Sequence, residues 1–401
     1  MSMISYETSQ NMISLLPVGS LRSERVFLSD ALGRVLAEDI IADEDYPTHP
    51  TSAMDGYAMI HADFAEYKAL AILGDNPAGA DEVASVENGI CIKTFTGSLM
   101  PEGSDTLIPI ENVTAKEGVI VIDKPVAHGF AVRPIGESYR KDEVLIPCGT
   151  TVTFAQIGVL AGINRVMVRV VQRPRVSIIA TGSEILDIGE SARNVGQIRS
   201  SNSYTLQALV TQLGGECLQM GIVGDDKSAI MERFDEALRS SDIVVSTGGV
   251  SVGDYDFVKH IVPKLGAEVI FKGVNIKPGQ HDMVAQRGSK FIISLPGFAY
   301  SSTVTFILYV APLMGRMMGR ANPYEPIEAT LKVPFAKRSN KSEFTACNLS
   351  FEDGRYWVDF EGKKTGSSAI LTNLLGNAAL MICGEDDGDL EEGTLVRVIK
   401  L

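Results

Sequence analysis

The sequence predicts a multidomain chain of α/β plus β class. A doubly wound, mostly parallel α/β domain follows a helical or mixed N-terminal domain, which carries an inserted β-rich domain, and precedes a C-terminal β-barrel-like domain. Three observations predict this. The 401 residues exceed what one core usually organises. Between residues 174 and 320, short apolar strands alternate with amphipathic helices, the pattern of βαβ units and of a parallel sheet covered on both faces. On either side of that stretch, apolar residues recur with period two between turns rich in Gly, Pro and Asp.

Residues 1–48 read as helical, because Leu28 to Ala37 repeats apolar residues at helical spacing behind Ser29 and Asp30, until Pro47 and Pro50 break the pattern. Residues 49–133 form the insert: Ile90, Ile92 and Thr94 alternate, and short apolar runs follow at 106–110 and 118–122. Residues 134–173 return to the first domain with a helix near 156–163 and a strand near 165–171. In the α/β domain, strands are expected at 176–180, 218–223, 243–246, 268–271 and 291–294. Helices are expected around Tyr204 to Leu213, at 230–238, 258–265 and 303–314. Residues 321–401 return to strands at 329–333, 344–349, 356–360 and 395–399, with Asp353-Gly354 as a turn, and read as a small barrel or sandwich.

Composition narrows the function. With 36 basic against 50 acidic residues the formal net charge is −14, unsuited to general binding of nucleic acid or anionic lipid. The five cysteines stand singly, without C-x-x-C, which argues against a disulfide framework or structural zinc and for a reducing compartment. No export signal is apparent, and a cytoplasmic location is expected. The uncharged stretch from Phe291 to Gly315 is interrupted by Pro296-Gly297 and Pro312, so its unbroken apolar part falls short of the ~20 residues of a membrane span.

The chemistry is expected where the parallel strands end. There the chain places Thr181-Gly182-Ser183-Glu184, Gly224-Asp225-Asp226, Thr247-Gly248-Gly249 continuing to Ser251 and Asp256, Lys277-Pro278-Gly279, and Pro296-Gly297. In an open parallel sheet these ends share one edge, where ligands bind. Glycines allow amides to approach an anion, and Lys277 supplies a cation. Glu184, Asp225 and Asp256 are hard oxygen ligands that would face a phosphate through a bridging Mg²⁺. Any one of these ends alone is simply a turn; five on one edge point to a phosphate-bearing ligand. Gly249-Val250-Ser251-Val252-Gly253 also fits the G-x-S-x-G elbow of hydrolases, but only His260 and His281 follow it, and Asp256 is too close to serve as the usual acid. In the insert, Ser52 to Ala58, Thr96-Gly97 and Pro101-Glu102-Gly103 read bare as turns, and His49 and His61 as surface or packed histidines.

In this order the strings resemble the molybdopterin molybdenumtransferase family, bacterial relatives of the C-terminal part of gephyrin. The likeness runs from Leu32-Gly33-Arg34 through Ser52 to Ala58, Arg133 with Gly136-Glu137, Gly196-Gln197-Ile198 and Gly248 to Gly253, as far as Leu295-Pro296-Gly297. It implies a four-domain subunit, a homodimer, and a Mg²⁺-dependent step taking adenylylated molybdopterin and molybdate to molybdenum cofactor and AMP. By motif position Glu184, Asp225 and Asp256 would handle metal and diphosphate. Thr181, Gly182, Ser183, Gly248, Gly249, Ser251, Lys277, Pro278, Gly279 and Pro296 would hold the cofactor's phosphate. Asp55 and Thr96 would reach in from the partner subunit, and Ser367 would come from the C-terminal domain. The adenylyltransferase that supplies the substrate and the molybdoenzyme apoproteins would be further partners. Nucleic acid and membrane are not expected as partners.

The chain departs from the family pattern at several points. It has Ser138 where the family has Asp after Gly136-Glu137, and Gln280-His281 where the family has Lys-Pro. It has Phe298-Ala299 where the family has Asn-Pro, Gly273 near a family lysine, and Thr48-His49-Pro50 without the usual Asp-Asn. These losses of charge leave a second reading open, a catalytically weakened paralogue acting as a pterin-binding scaffold. Tungstate is not distinguished from molybdate.

Overall fold

The structure is a computed structural model that describes residues 3–19, 21–80, 84–249, 257–364 and 367–401. It falls into two compact units, Glu38–Val168 and a larger one made of Met1–Ala37 with Arg169–Leu401.

The larger unit opens with helix α1 (Tyr6–Leu15), capped by Ser5, whose hydroxyl accepts from Thr8 N. The helix expected over Leu28 to Ala37 is absent. A strand (Ser23–Phe27) and a single 3₁₀ turn (Leu28–Asp30) stand there instead. Gly33 takes φ +73°, outside the helical range, and Leu36 bridges Val170 in antiparallel fashion. Ala37 N donates to Arg169 O, so pairing with a strand more than a hundred residues away overrides a merely local periodicity.

The Glu38–Val168 unit holds strands β1 (Gly56–Met59), β2 (Ala69–Asn76), β3 (Ile90–Thr94), β4 (Thr106–Pro109), β5 (Val113–Lys116) and β6 (Val119–Ile122). They form one curled sheet in the order β4-β1-β3-β2-β6-β5. Tyr57, Met59, Leu70, Cys91, Ile108 and Ile120 pack as its core. Gly56 is already strand, and a Cβ there would collide with Ile108 O and the Leu107 side chain, so it is more than a turn residue. Helix α2 (Phe154–Gly162) lies near the end of this unit, with a capping box between Thr153 and Gln156.

In the α/β part of the larger unit, β7 (Arg175–Thr181), β8 (Glu216–Val223), β9 (Ile243–Thr247), β10 (Glu268–Lys272), β11 (Met283–Arg287) and β12 (Lys290–Leu295) build a six-stranded sheet. Its order is β8-β7-β9-β12-β11-β10. The first four strands are parallel, while β11 runs antiparallel to both β12 and β10. The sequence pattern did not signal β11, a short strand between two turns. Residues alternate between two cores. Ile178, Val245 and Ile293 face helices α3 (Ser201–Gln212), α6 (Ala299–Thr305) and α7 (Ala311–Met318). Ile179, Val244 and Ile292 face α4 (Lys227–Ser240) and α5 (Val258–Ile261). A π-helical turn (Phe306–Val310) joins α6 to α7, so the uncharged stretch is a strand and a buried helix. None of the described helices is long and apolar enough to cross a membrane.

The C-terminal strands β13 (Ile327–Leu331), β14 (Ser342–Glu352), β15 (Arg355–Asp359), β16 (Ala378–Cys383) and β17 (Leu395–Lys400) close into a barrel in the order β14-β15-β13-β17-β16, with β16 returning to β14. β16 is buried throughout, and its run of apolar residues carries no alternation from which a sequence pattern could place it. Residues 276 and 277 pair in parallel with Ser342 and Glu343, joining the barrel to the α/β part.

Candidate active site

The predicted residues that are described divide among three places. The first is a cleft of about 810 Å³ at the C-terminal ends of the parallel strands, lined by Thr181, Gly182, Glu184, Asp225, Gly248 and Gly249. β7 and β8 are neighbours, so their end loops lie side by side. Ser183 N donates to Asp225 Oδ2 at 3.1 Å, and Asp225 N donates to Ser183 Oγ at 3.0 Å. Thr181 Oγ1 donates to Thr247 O at 3.1 Å, tying β7 to β9. Gly182 has φ +141°, and a Cβ there would lie 2.5 Å from Glu184 Oε2, so the Glu184 carboxylate folds back over its own loop. Gly248, at φ +90°, would place a Cβ 2.8 Å from Thr181 O. Gly248 therefore needs glycine because a Cβ would meet backbone, and Gly182 because of its positive φ. Residues 250–256, Ser251 and Asp256 among them, lie outside the described residues.

The same cleft takes in Ser200, Ser201 and Asn202 at the N-terminus of α3, where unpaired N–H groups and the helix dipole favour an anion. Asn202 Nδ2 donates to Gly297 O at 2.8 Å, fixing the wall opposite. The sequence signal for this helix end was the run of small polar residues just ahead of an amphipathic segment.

Lys277, Pro278, Gly279 and Ser367 do not line that cleft. They line a second cavity of about 400 Å³ between the 276–281 loop, the start of α6 and the barrel. Pro296, Phe298 and His281 border both hollows, so the two are neighbours across a shared rim. β10 does end on the same sheet edge, but pairing of residues 276 and 277 with the barrel carries Lys277 away from it. The cavity adds cations that the sequence reading left out, Arg338, Lys341 and Lys364, from a part of the chain assigned only as strands. Glu343, a buried acid of the lining, accepts from Arg338 N at 3.1 Å and Ser339 Oγ at 2.7 Å, and stands 3.6 Å from Lys277 Nζ. Lys341 Nζ donates to Gln280 Oε1, so a barrel lysine reaches the position where the family pattern has its own.

Asp55 and Thr96 form the third place, within the Glu38–Val168 unit. One oxygen, Asp55 Oδ1, accepts from both Thr96 N and Thr96 Oγ1 at 2.8 Å each. These two bonds, the backbone one first, hold the exposed carboxyl below the usual Asp range. At the departure near Ser138, Arg133 donates to Glu137 Oε2 at 2.5 Å and to Ser138 Oγ at 3.3 Å. His49 Nδ1 lies 3.1 Å from Thr48 Oγ1, and His61 Nε2 lies 3.1 Å from Val126 O.

No group of three or more His, Cys, Asp or Glu among the described residues is placed to hold a metal alone. Glu184 and Asp225 share the first cleft as two hard carboxylates, surrounded by hydroxyl and carbonyl oxygens. Mg²⁺ typically takes one or two carboxylates and leaves its other positions to substrate phosphates and water, so this donor set fits it.

Two carboxylates and a helix N-terminus in one hollow, beside lysines and arginine in the next, define an anion-handling α/β protein fused to a barrel. Residues 4–163 match the MoeA N-terminal region (domain I and II), residues 177–316 a probable molybdopterin binding domain, and residues 328–401 the MoeA C-terminal region (domain IV). The chain is 33% identical over 392 residues to molybdopterin molybdenumtransferase of Nostoc sp., covering 94% of this chain and 89% of that one. It is 31% identical to the Bacillus subtilis enzyme of that name, with 94% and 89% covered. A crystal structure of the molybdopterin biosynthesis moeA protein from Pyrococcus horikoshii superposes with TM-score 0.83 at 29% identity over 100% of both chains. The chain belongs to the molybdopterin molybdenumtransferase family, whose members are transferases of molybdenum cofactor biosynthesis.

Proposed function

We propose that this chain inserts molybdate into adenylylated molybdopterin, releasing AMP and molybdenum cofactor. The observation that carries the reading is the pair of adjoining hollows: a carboxylate-lined cleft fit for a metal-bridged diphosphate, bordered by a lysine-lined cavity fit for an oxyanion. In this reading α3's N-terminal amides, Ser183 and the glycines of the strand-end loops seat the diphosphate. Lys277, Lys341 and Ser367 hold molybdate next to the dithiolene. Phe298, 62% exposed on the shared rim, would cover the pterin and exclude water. Glu184 and Asp225, with Asp256, would hold Mg²⁺, which would supply positive charge against the diphosphate.

We also assign four domains, with residues 1–48 and 134–173 as one, 49–133 inserted, then 174–320 and 321–401. The protein acts as a homodimer in which Asp55 and Thr96 complete the partner's cleft. Helix α2 supports the dimer. Its sequence, Phe-Ala-Gln-Ile-Gly-Val-Leu-Ala-Gly, is almost wholly apolar, yet only Leu160 is buried and Phe154 is 86% exposed. An apolar helix left open to water in one subunit is what a second copy would cover.

The test is to add molybdate and Mg²⁺ to the protein loaded with adenylylated molybdopterin and follow AMP. Release that depends on both, and is lost in Glu184→Gln, is expected. Tight pterin binding without AMP release would replace this reading with the scaffold.

A further inference from the structure

The parallel strands have a second edge. β7 begins at Arg175, β8 at Glu216, β9 just after Asp242 and β12 at Lys290, and together these starts border a hollow of about 580 Å³. Pairing in β7, β8, β9 and β12 is parallel, so this hollow lies at the end of the sheet opposite the strand-end cleft. The seven residues of β7 separate the two by roughly 20 Å.

Its charge runs against that of the chain. Arg22, Arg173, Arg175, Arg239 and Lys290 line it, in a protein whose net charge is −14. Its acids are already engaged, as are two of its arginines, Arg175 with Glu216 and Arg239 with Asp235. Glu216 pairs with Arg175 at 3.1 Å, Asp242 Oδ2 accepts from Arg175 N at 2.8 Å, and Glu24 is taken by Arg34. Lys290 Nζ donates to the carbonyls of Leu238 and Ser241 at the end of α4. Arg22 is exposed and has no side-chain partner among the described residues. Arg173 makes one bond, to Gly214 O at 3.3 Å.

Positive charge is also crowded just behind Arg173. A narrow recess that shares Gln172 and Arg173 with the hollow is walled by Arg34 and Arg320. Burial, then the Arg173 and Arg34 charges, lower the pKa of Arg320, and its buried Nε has no hydrogen-bond partner. Guanidiniums held this close repel one another and lose part of that cost when an anion sits among them.

We propose that this hollow is a second ligand site, taking a compact phosphate-bearing oligoanion of about diphosphate size. Forked guanidiniums suit phosphoryl oxygens, which accept from several directions at once. The hollow is large for a single phosphate, and among the described residues no aromatic side chain lines it to stack a nucleobase. The site is independent of the proposed catalytic cleft, and its occupant is recognised without a divalent metal.

The probe is inorganic diphosphate, titrated calorimetrically into the full chain in EDTA, where carboxylate-bridged binding in the cleft is suppressed. Arg22→Gln/Arg173→Gln is expected to weaken binding about tenfold or more, since it removes charge-assisted donors. Glu184→Gln should leave that binding unchanged, and Lys277→Gln should leave unchanged the part of it that depends on Arg22 and Arg173. Undiminished binding in the double variant, or loss of all binding in Lys277→Gln, would overturn the proposal. If the double variant melts early without ligand, Arg22→Gln alone decides by the same criterion, because that side chain supports nothing in the fold.

Discussion

Ser183 and Asp225 hold one another through two reciprocal hydrogen bonds, so the loops after β7 and β8 form one rigid lip. Ser183→Ala removes one acceptor and is expected to cost about 1 kcal/mol of stability, read by denaturant unfolding. Asp225→Asn keeps an acceptor for Ser183 N but removes the charge. It should lower AMP release by about 100-fold or more while moving the melting temperature little. A melting loss matching the activity loss would make Asp225 a loop-former rather than a ligand.

A second expectation concerns Asp55. Its carboxyl is held low by two donors from Thr96, so that interaction favours the folded state at neutral pH and is lost as pH falls through the folded-state value. Thr96→Val deletes the hydroxyl and leaves the N–H. The Asp55 pKa should rise toward the ordinary carboxylate range, and any acid limb of activity governed by Asp55 should move up with it. Carboxyl ¹³C NMR titration follows the group directly, and an unmoved titration would rule the hydroxyl out.

Asp282 titrates in the opposite sense. Both its oxygens are buried without a hydrogen-bond partner on another described residue, and burial raises its pKa well above 3.8 against the weaker pull of its own backbone N–H. The folded protein therefore keeps a proton that the unfolded chain releases. Stability from this group is full below the unfolded value and declines as pH rises toward the folded one. Asp282→Asn removes that dependence. Melting curves of variant and native protein should converge near pH 3.5 and separate by at least about 1 kcal/mol in the variant's favour near pH 8. Parallel curves across that range would contradict it.

If α2 is a subunit contact, Phe154→Glu should convert a dimer into monomers in sedimentation velocity without lowering the unfolding midpoint of the monomer. Subunits carrying Asp55→Ala, mixed with subunits carrying Glu184→Ala, should then recover part of the AMP release through one intact cleft. That recovery should vanish in the Phe154→Glu background.

Much of this was legible beforehand where local pattern and tertiary role coincide. β7, β9 and β12 are mostly apolar, broken by the small buried serines Ser177, Ser246 and Ser294, because both their faces are covered, and glycine turns follow them. The pattern misled at Leu28 to Ala37, where Val35 and Leu36 are buried by a distant strand rather than by a helix face. It was silent at β11, which is short, and at β16, where burial on all sides erases alternation.

The site divides along the same line. Sequence alone determined that Glu184 and Asp225 follow successive strands of a parallel sheet and so share one edge, whereas the tertiary structure made those two strands neighbours. It also determined family membership, through motifs whose order survives at about a third identity. Only the tertiary structure decided that Lys277 and Ser367 occupy a different cavity from those carboxylates. It alone brought Arg338, Lys341 and Lys364 to Lys277 and gathered the arginines at the far edge of the sheet. These groupings depend on barrel closure and on loops that pair across long stretches of chain, and a charged side chain carries no local periodicity that announces which distant charge it will meet.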